Sequence, residues 1–207
     1  MSLPEIVTRE EWRAAREELR RKEEAVARAR DALDAERRRL PVVEVDPEYV
    51  FEGGDGKATL LDLFDGQTQL VVHHFMFAPE WTQGCPCCAA FLDQLGHLDR
   101  LRAHDTAFAA VSRAPFTRIL PYKARMGWAV PWYSSALGDF NRDFEATVEQ
   151  EGRPVERPGL SCFLRERDRV FHTYSVHDDD VLDGLGAVPG LLDLTALGRH
   201  PNGGGAH

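Results

Sequence analysis

Three cysteines stand within four residues, Cys85-Pro86-Cys87-Cys88, and a fourth, Cys162, lies far from them. A Cys-x-x-Cys pair suits dithiol chemistry, in which one thiolate attacks an oxidised sulfur and the second thiol resolves the bond so formed. With Cys85 capping a helix and Pro86 at the first helical position, where no amide hydrogen is needed, unpaired amides and the positive end of the helix dipole favour a thiolate on Cys85. The spacing of three puts Cys88 one turn on and on the same side, so a disulfide can close and reopen without moving the helix. Cys87 is expected to point elsewhere. Two other readings stand beside this one. The three thiols with a histidine could bind zinc or copper(I), although zinc sites usually draw on two separated pairs and one cluster is present here. Alternatively, the cysteines pack as small apolar residues.

A strand must deliver such a motif and a helix must carry it. Residues 70–77, Leu70-Val71-Val72-His73-His74-Phe75-Met76-Phe77, are apolar on both alternating faces, as a central strand covered on two sides requires. A loop over 78–84 leads to the cysteines, a helical pattern follows through Phe91, Leu92, Leu95, Leu98 and Leu101, and residues 107–111 read as the next strand. That is a parallel βαβ unit with a right-handed crossover. Period-two alternation lets only one of His73 and His74 face the thiols, where it could shuttle a proton. The competing role for either is a buried ring hydrogen-bonded to backbone. Trp81 in the loop shields the thiols from water or simply packs.

Before this unit, residues 42–45 and 49–51 look like strands, Gly53-Gly54-Asp55-Gly56 like a turn, and residues 59–64 like helical turns closed by Asp65-Gly66. After it, residues 115–126 are helical with a break or kink expected at Pro121. Residues 128–133 form an edge strand or an aromatic loop, with Trp128, Trp132 and Tyr133 filling the core by default or lining a pocket. Residues 160–164 and 169–174 form a hairpin on which His172 and Tyr174 share a face.

The chain has 207 residues, 25 Lys+Arg against 34 Asp+Glu, a net charge of −9, and 43% apolar residues, which describes one acidic globular domain able to bury a core without disulfide or metal staples. The acidic balance speaks against a nucleic-acid partner. No apolar run approaches the roughly eighteen residues of a membrane span, and Met1-Ser2-Leu3-Pro4-Glu5 lacks a basic stretch followed by an apolar one. A cytoplasmic location is expected, where thiols stay reduced. Thr8-Arg9-Glu10-Glu11 is a capping box flanked by the Val7 and Trp12 staple, so a helix is expected over 9–39. Its apolar residues Trp12, Leu19, Val26, Leu33 and Leu40 recur every seven positions, a narrow stripe for the body of the domain or for a second copy of the chain as a homodimer; a solvated helix is the plainer alternative. The resulting division is an N-terminal helical extension over 1–40, the main domain over 41–200 and a disordered tail over 201–207.

The segments Tyr49-Val50-Phe51-Glu52-Gly53, Leu60-Leu61-Asp62-Leu63-Phe64-Asp65-Gly66, His73-His74-Phe75-Met76-Phe77 and Trp81-Thr82-Gln83-Gly84-Cys85-Pro86-Cys87-Cys88 carry a family likeness, with Val170-Phe171-His172-Thr173-Tyr174-Ser175 and Leu191-Leu192-Asp193-Leu194-Thr195 downstream. Together they resemble a bacterial thioredoxin-like family catalogued as domain-of-unknown-function family 899, over nearly the whole chain. The resemblance implies an α/β, thioredoxin-like three-layer sandwich, with a central mixed sheet, helices on both faces and a long N-terminal helix. It also implies dithiol–disulfide oxidoreductase activity, with Cys85 as nucleophile and Cys88 as resolving thiol. The partners would be a disulfide or other oxidised-sulfur substrate and a cellular reductant; no cofactor is expected. Many relatives carry a small polar residue where this chain has Cys87. Residues 56–77 and the long loop also resemble the peroxiredoxins, whose threonine stands three residues before the peroxidatic cysteine, as Thr82 stands to Cys85. Their proline lies four before the threonine, whereas Pro79 lies three before it. A thiol peroxidase with Cys85 peroxidatic is therefore the alternative activity.

Overall fold

A computed structural model describes residues 5–95, 97–177 and 195. The Leu191-Leu192-Asp193-Leu194 segment and the tail 201–207 lie outside the described residues. The chain forms two units, Met1–Arg37 and Arg38–His207.

The first is helix α1 (Arg9–Arg37). It begins where the capping box closes: the Thr8 amide donates to Glu11 Oε2 at 2.8 Å and the Glu11 amide to Thr8 Oγ1 at 3.3 Å, so two orphan amides are satisfied reciprocally. Exposed pairs one turn apart line it, among them Arg20 with Glu17 and Glu24, and Lys22 with Glu18. Each adds only a few tenths of a kcal/mol.

The second unit is built from β1 (Val43–Val45), β2 (Val50–Gly53), β3 (Gly56–Thr59), β4 (Gln69–His74), α2 (Pro86–Gln94), α3 (Asp99–Arg102), β5 (Thr106–Ser112), α4 (Phe116–Met126), β6 (Trp132–Ser134), α5 (Phe140–Asp143), β7 (Thr147–Gln150), β8 (Arg153–Glu156), β9 (Gly159–Glu166) and β10 (Arg169–Val176). Eight strands form one mixed sheet in the order β1-β10-β9-β4-β5-β6-β2-β3, and β7 and β8 form a separate hairpin. β4 is parallel to β5, and β5 to β6. Every residue of β4 is buried, as its two-sided apolar pattern requires.

The faces of β4 lead to two cores. Val71, Phe75 and Phe77 pack with Cys88, Ala89 and Leu92 of α2, Leu101 of α3 and Ile119 and Tyr122 of α4. Leu70 and Val72 pack on the other side with Phe51, Phe64, Phe140, Phe144 and Phe163. That second face is covered by short pieces, a 3-10 turn over Asp62–Phe64 and the four-residue α5. The 3-10 turn is held by a Thr59/Asp62 box, the Thr59 amide donating to Asp62 Oδ2 at 2.7 Å, and ends at Asp65 in the left-handed region, φ 47°.

The structure corrects three expectations. α4 runs unbroken through Pro121; that residue is exposed, and so is Thr117, whose carbonyl the missing amide leaves to water. The segment 128–133 gives a strand only from Trp132, and that strand lies inside the sheet between β5 and β2. Pro131 is accommodated because it stays outside the strand and contributes only its carbonyl, which accepts the Ala110 amide at 2.9 Å. Tyr133 packs on the face opposite Trp132. Finally, His172 and Tyr174 do not share a face: a register shift between them reverses the alternation, leaving His172 beside Phe144 and Phe163 and Tyr174 on the Cys88 side.

Candidate functional site

β4 ends at His74, but the chain stays extended. The Phe75 amide donates to Val111 O at 2.9 Å, Ser112 Oγ donates to Phe75 O at 2.7 Å, and the Ala114 amide to Phe77 O at 2.7 Å. A loop then turns back, tied where Arg118 Nη1 donates to Trp81 O at 2.8 Å. Gly84 brings the backbone against the core: a Cβ there would overlap Phe75 and stand 3.2 Å from Tyr122 Cε1. One residue on, the Cys85 amide donates to Met76 O at 2.9 Å, while the Met76 amide donates to Cys88 Sγ at 3.4 Å. The main chain of Met76 thus holds both ends of the thiol pair. The far end of α2 is held too, by Trp128 Nε1 donating to Asp93 Oδ1 at 2.7 Å.

Cys85 is the N-cap residue of α2, with φ −62° and ψ 132°, and Pro86 occupies the first turn. No disulfide joins the four cysteines; Cys85 is half-buried, Cys87 exposed, and Cys88 and Cys162 buried. The Cys88 thiol donates to Cys85 and is the main cause of a pKa pushed down to about 5. Partial burial opposes this, and the amides of Cys88 and Cys87 and the Cys87 thiol add to the lowering. The cap closes no side-chain hydrogen bond, and each amide contributes less than the Cys88 thiol does. Cys88 moves the opposite way: donating to Cys85, together with burial, raises it far above the ordinary thiol range. One sulfur is therefore ionised at neutral pH and its partner carries the proton. Cys87 does not point elsewhere, because its thiol also reaches Cys85. Side-chain direction at the loose first turn of a helix, one residue past a proline, does not follow the spacing of a regular helix.

The other sequence candidates are distributed unequally. His73 is on the α2 face of β4, with its ring 4.6 Å from Phe91 and 5.8 Å from Phe75. Burial drives its pKa down to about 3, and its Nδ1 has no hydrogen-bond partner. His74 faces the opposite core, where Nε2 meets Ser161 Oγ at 2.7 Å. Trp81 is half-buried against the cluster containing Cys88. Thr82 and Pro86 are exposed, and among the described residues no hydrogen bond ties Thr82 to Cys85. Three contributors had no sequence signal of their own: the Met76 main chain, Gly84 as a close-approach position, and Tyr122, which α4 brings beside Phe75 and Phe77 at ring separations of 6.3 and 5.5 Å.

Among the described residues, no group of three or more His, Cys, Asp or Glu side chains is arranged to hold a metal ion, and no helix is long and apolar enough to cross a membrane. A cleft of about 570 Å³ lies between the Gly53–Gly56 turn and α4, lined in part by Lys57, Lys123 and Tyr133, and does not include the cysteines.

A family described as bacterial protein of unknown function, DUF899, matches residues 1–206. No curated protein matches the chain in sequence. Among solved structures the chain is similar to peroxidoxin BcpB from Mycobacterium tuberculosis, with TM-score 0.53 and 14% identity over 75% of this chain and 94% of that one. It is also similar to the bacterioferritin comigratory protein of Xanthomonas campestris, described for its alkyl peroxide reduction activity, with TM-score 0.51 and 16% identity over 69% and 94%. A third is a cysteine-to-serine mutant of Xylella fastidiosa PrxQ, with TM-score 0.51 and 13% identity over 70% and 94%. At these identities the likeness is one of fold, and the fold is the thioredoxin-like α/β sandwich.

Proposed function

The chain belongs to DUF899, a family of bacterial proteins of unknown function, and we propose that it is a thiol-based redox enzyme that exchanges disulfides through Cys85 and Cys88. The observation that carries this reading is the asymmetric thiol pair: a half-buried Cys85 held as thiolate by a buried Cys88 that keeps its proton.

Cys85 Sγ attacks one sulfur of a substrate disulfide; the other sulfur leaves with the bonding electron pair and takes a proton from water. Cys88, already in contact with Cys85, loses its proton and attacks Cys85 Sγ. This expels the second substrate sulfur and leaves a Cys85–Cys88 disulfide. Two electrons have passed to the substrate, and a cellular thiol reductant restores the pair. A pKa near 5 makes Cys85 almost fully ionised at pH 7, against a few per cent for an ordinary thiol. It also makes Cys85 the better leaving sulfur. Trp81 covers the thiols from the loop side, and the apolar floor of Phe75, Phe77 and Tyr122 keeps α2 in place.

A second reading, peroxide reduction with Cys85 as the attacking thiolate, is favoured by the fold shared with peroxidoxin BcpB and the Xanthomonas protein. Reduction of insulin disulfides and consumption of cumene hydroperoxide, each measured on the wild type and on Cys88→Ser, separate the two. Disulfide exchange predicts insulin reduction that collapses in the variant and little peroxide turnover. Peroxide consumption that persists in Cys88→Ser with external thiol overturns it in favour of the peroxidase.

A further inference from the structure

Of the three clustered thiols, Cys87 is the one that the exchange cycle leaves unused. It is exposed, on the second residue of α2, and its thiol reaches Cys85, whereas Cys88 is buried. The oxidised pair has a difficulty that this arrangement answers. An external reductant cannot reach Cys88, which is 2% exposed. It must therefore reach the half-buried Cys85 from solution, whereas the Cys87 thiol already stands within reach of that sulfur.

We propose that Cys87 is a third catalytic thiol that reopens the oxidised site, moving the disulfide from the buried Cys85–Cys88 pair to a surface Cys85–Cys87 pair that small thiols can reduce. This rests on the exchange chemistry proposed above. Cys87 loses its proton to water and attacks Cys85 Sγ; the Cys85–Cys88 bond breaks, and Cys88 leaves with the electron pair and takes up a proton. Within one turn of chain this attack is intramolecular and is favoured by its effective concentration over the same attack by a free thiol. A small thiol then attacks the exposed Cys87 sulfur and Cys85, the good leaving group, departs as thiolate. A second thiol clears the mixed disulfide on Cys87, so two thiols are oxidised to one disulfide and the site is fully reduced. The partner class is a low-molecular-weight thiol, with no protein docking surface required.

Two measurements on the full chain test this, with glutathione as the probe. Oxidised with diamide and mapped by peptide mass spectrometry, Cys88→Ser, with Cys88→Ala in reserve should the buried serine impair folding, is expected to contain a Cys85–Cys87 disulfide. Pre-oxidised Cys87→Ser is expected to be reduced by glutathione at least about tenfold more slowly than pre-oxidised wild type, since the intramolecular attack that opens the buried pair is lost. If the wild type forms Cys85–Cys88 but Cys87→Ser is reduced at the wild-type rate, or if both Cys88 variants lack the Cys85–Cys87 bond, the relay is overturned and the exchange reading stands. If no disulfide of the oxidised wild type contains Cys85, both are overturned.

Discussion

Two neighbouring sulfurs of the same chemical type are driven in opposite directions because one donates the hydrogen bond that the other accepts. Cys85 is left as the anion and Cys88 as the acid. The consequence for stability has a definite sign. Cys85 has a folded pKa near 5, below the value of 9.0 for an unperturbed thiol. A depressed acid stabilises the fold fully above its unfolded pKa, and that contribution is lost as pH falls through the folded one. The reduced protein should therefore gain stability relative to Cys85→Ser as pH rises from 5 to 9, read as the difference in urea midpoint. A difference that stays flat across that window would mean that the thiolate is no better held in the fold than in the unfolded chain. The spacing of Cys85 and Cys88 and the proline between them were legible in the sequence, and they placed the cap and the first turn correctly. The contact of Cys87 with Cys85 was not, because it depends on the local path of the chain at the start of α2.

At the scale of elements, the loop and β4 set the position of the thiols. Gly84→Ala places a methyl group into the rings of Phe75 and Tyr122. The overpacking should cost about 1–3 kcal/mol and displace Cys85 from Met76, so that the pH of half-labelling at Cys85 rises along with the loss of stability. A variant with normal stability and an unchanged labelling profile would show that the close approach does not position the motif. β4 also buries His73 as a neutral ring, with a pKa of about 3 against 6.5 for a free histidine. The folded value is the lower one, so the contribution is complete above pH 6.5 and is lost on acidification toward pH 3. His73→Leu should flatten the fall in urea midpoint over that range; a variant with the same acid profile as wild type would refute the assignment. Elements with local signals were readable in advance: the α1 capping box, the doubly apolar β4 and the hairpin of β9 and β10. The hairpin of β7 and β8 was not. Its residues are mostly exposed, Pro154 stands within it, and its anchor is non-local: Glu156 meets Arg113 at 2.5 Å and accepts from Thr147 Oγ1 at 3.0 Å. The reversal of faces at His172 and Tyr174 was hidden for a similar reason, since a bulge arises from pairing with β9 and leaves no mark in the alternation of β10 itself.

At the scale of the whole molecule, both apolar clusters and the strand pairings found among the described residues lie within residues 43–176. A chain lacking residues 1–37 should therefore fold, with its circular dichroism reduced mainly by the helical signal of α1 and with the reactivity of Cys85 unchanged. Loss of cooperative unfolding in that truncation would mean that the sheet depends on the N-terminal unit. Every functional step proposed for the molecule depends on a single ionised sulfur at the head of α2. The most direct measurement is the rate of iodoacetamide labelling of the reduced protein across pH, resolved by mass spectrometry at each cysteine. The account predicts half-maximal labelling of Cys85 near pH 5, with Cys88 protected throughout. Labelling of Cys85 that begins only in the ordinary thiol range, at about pH 8.5, would contradict it.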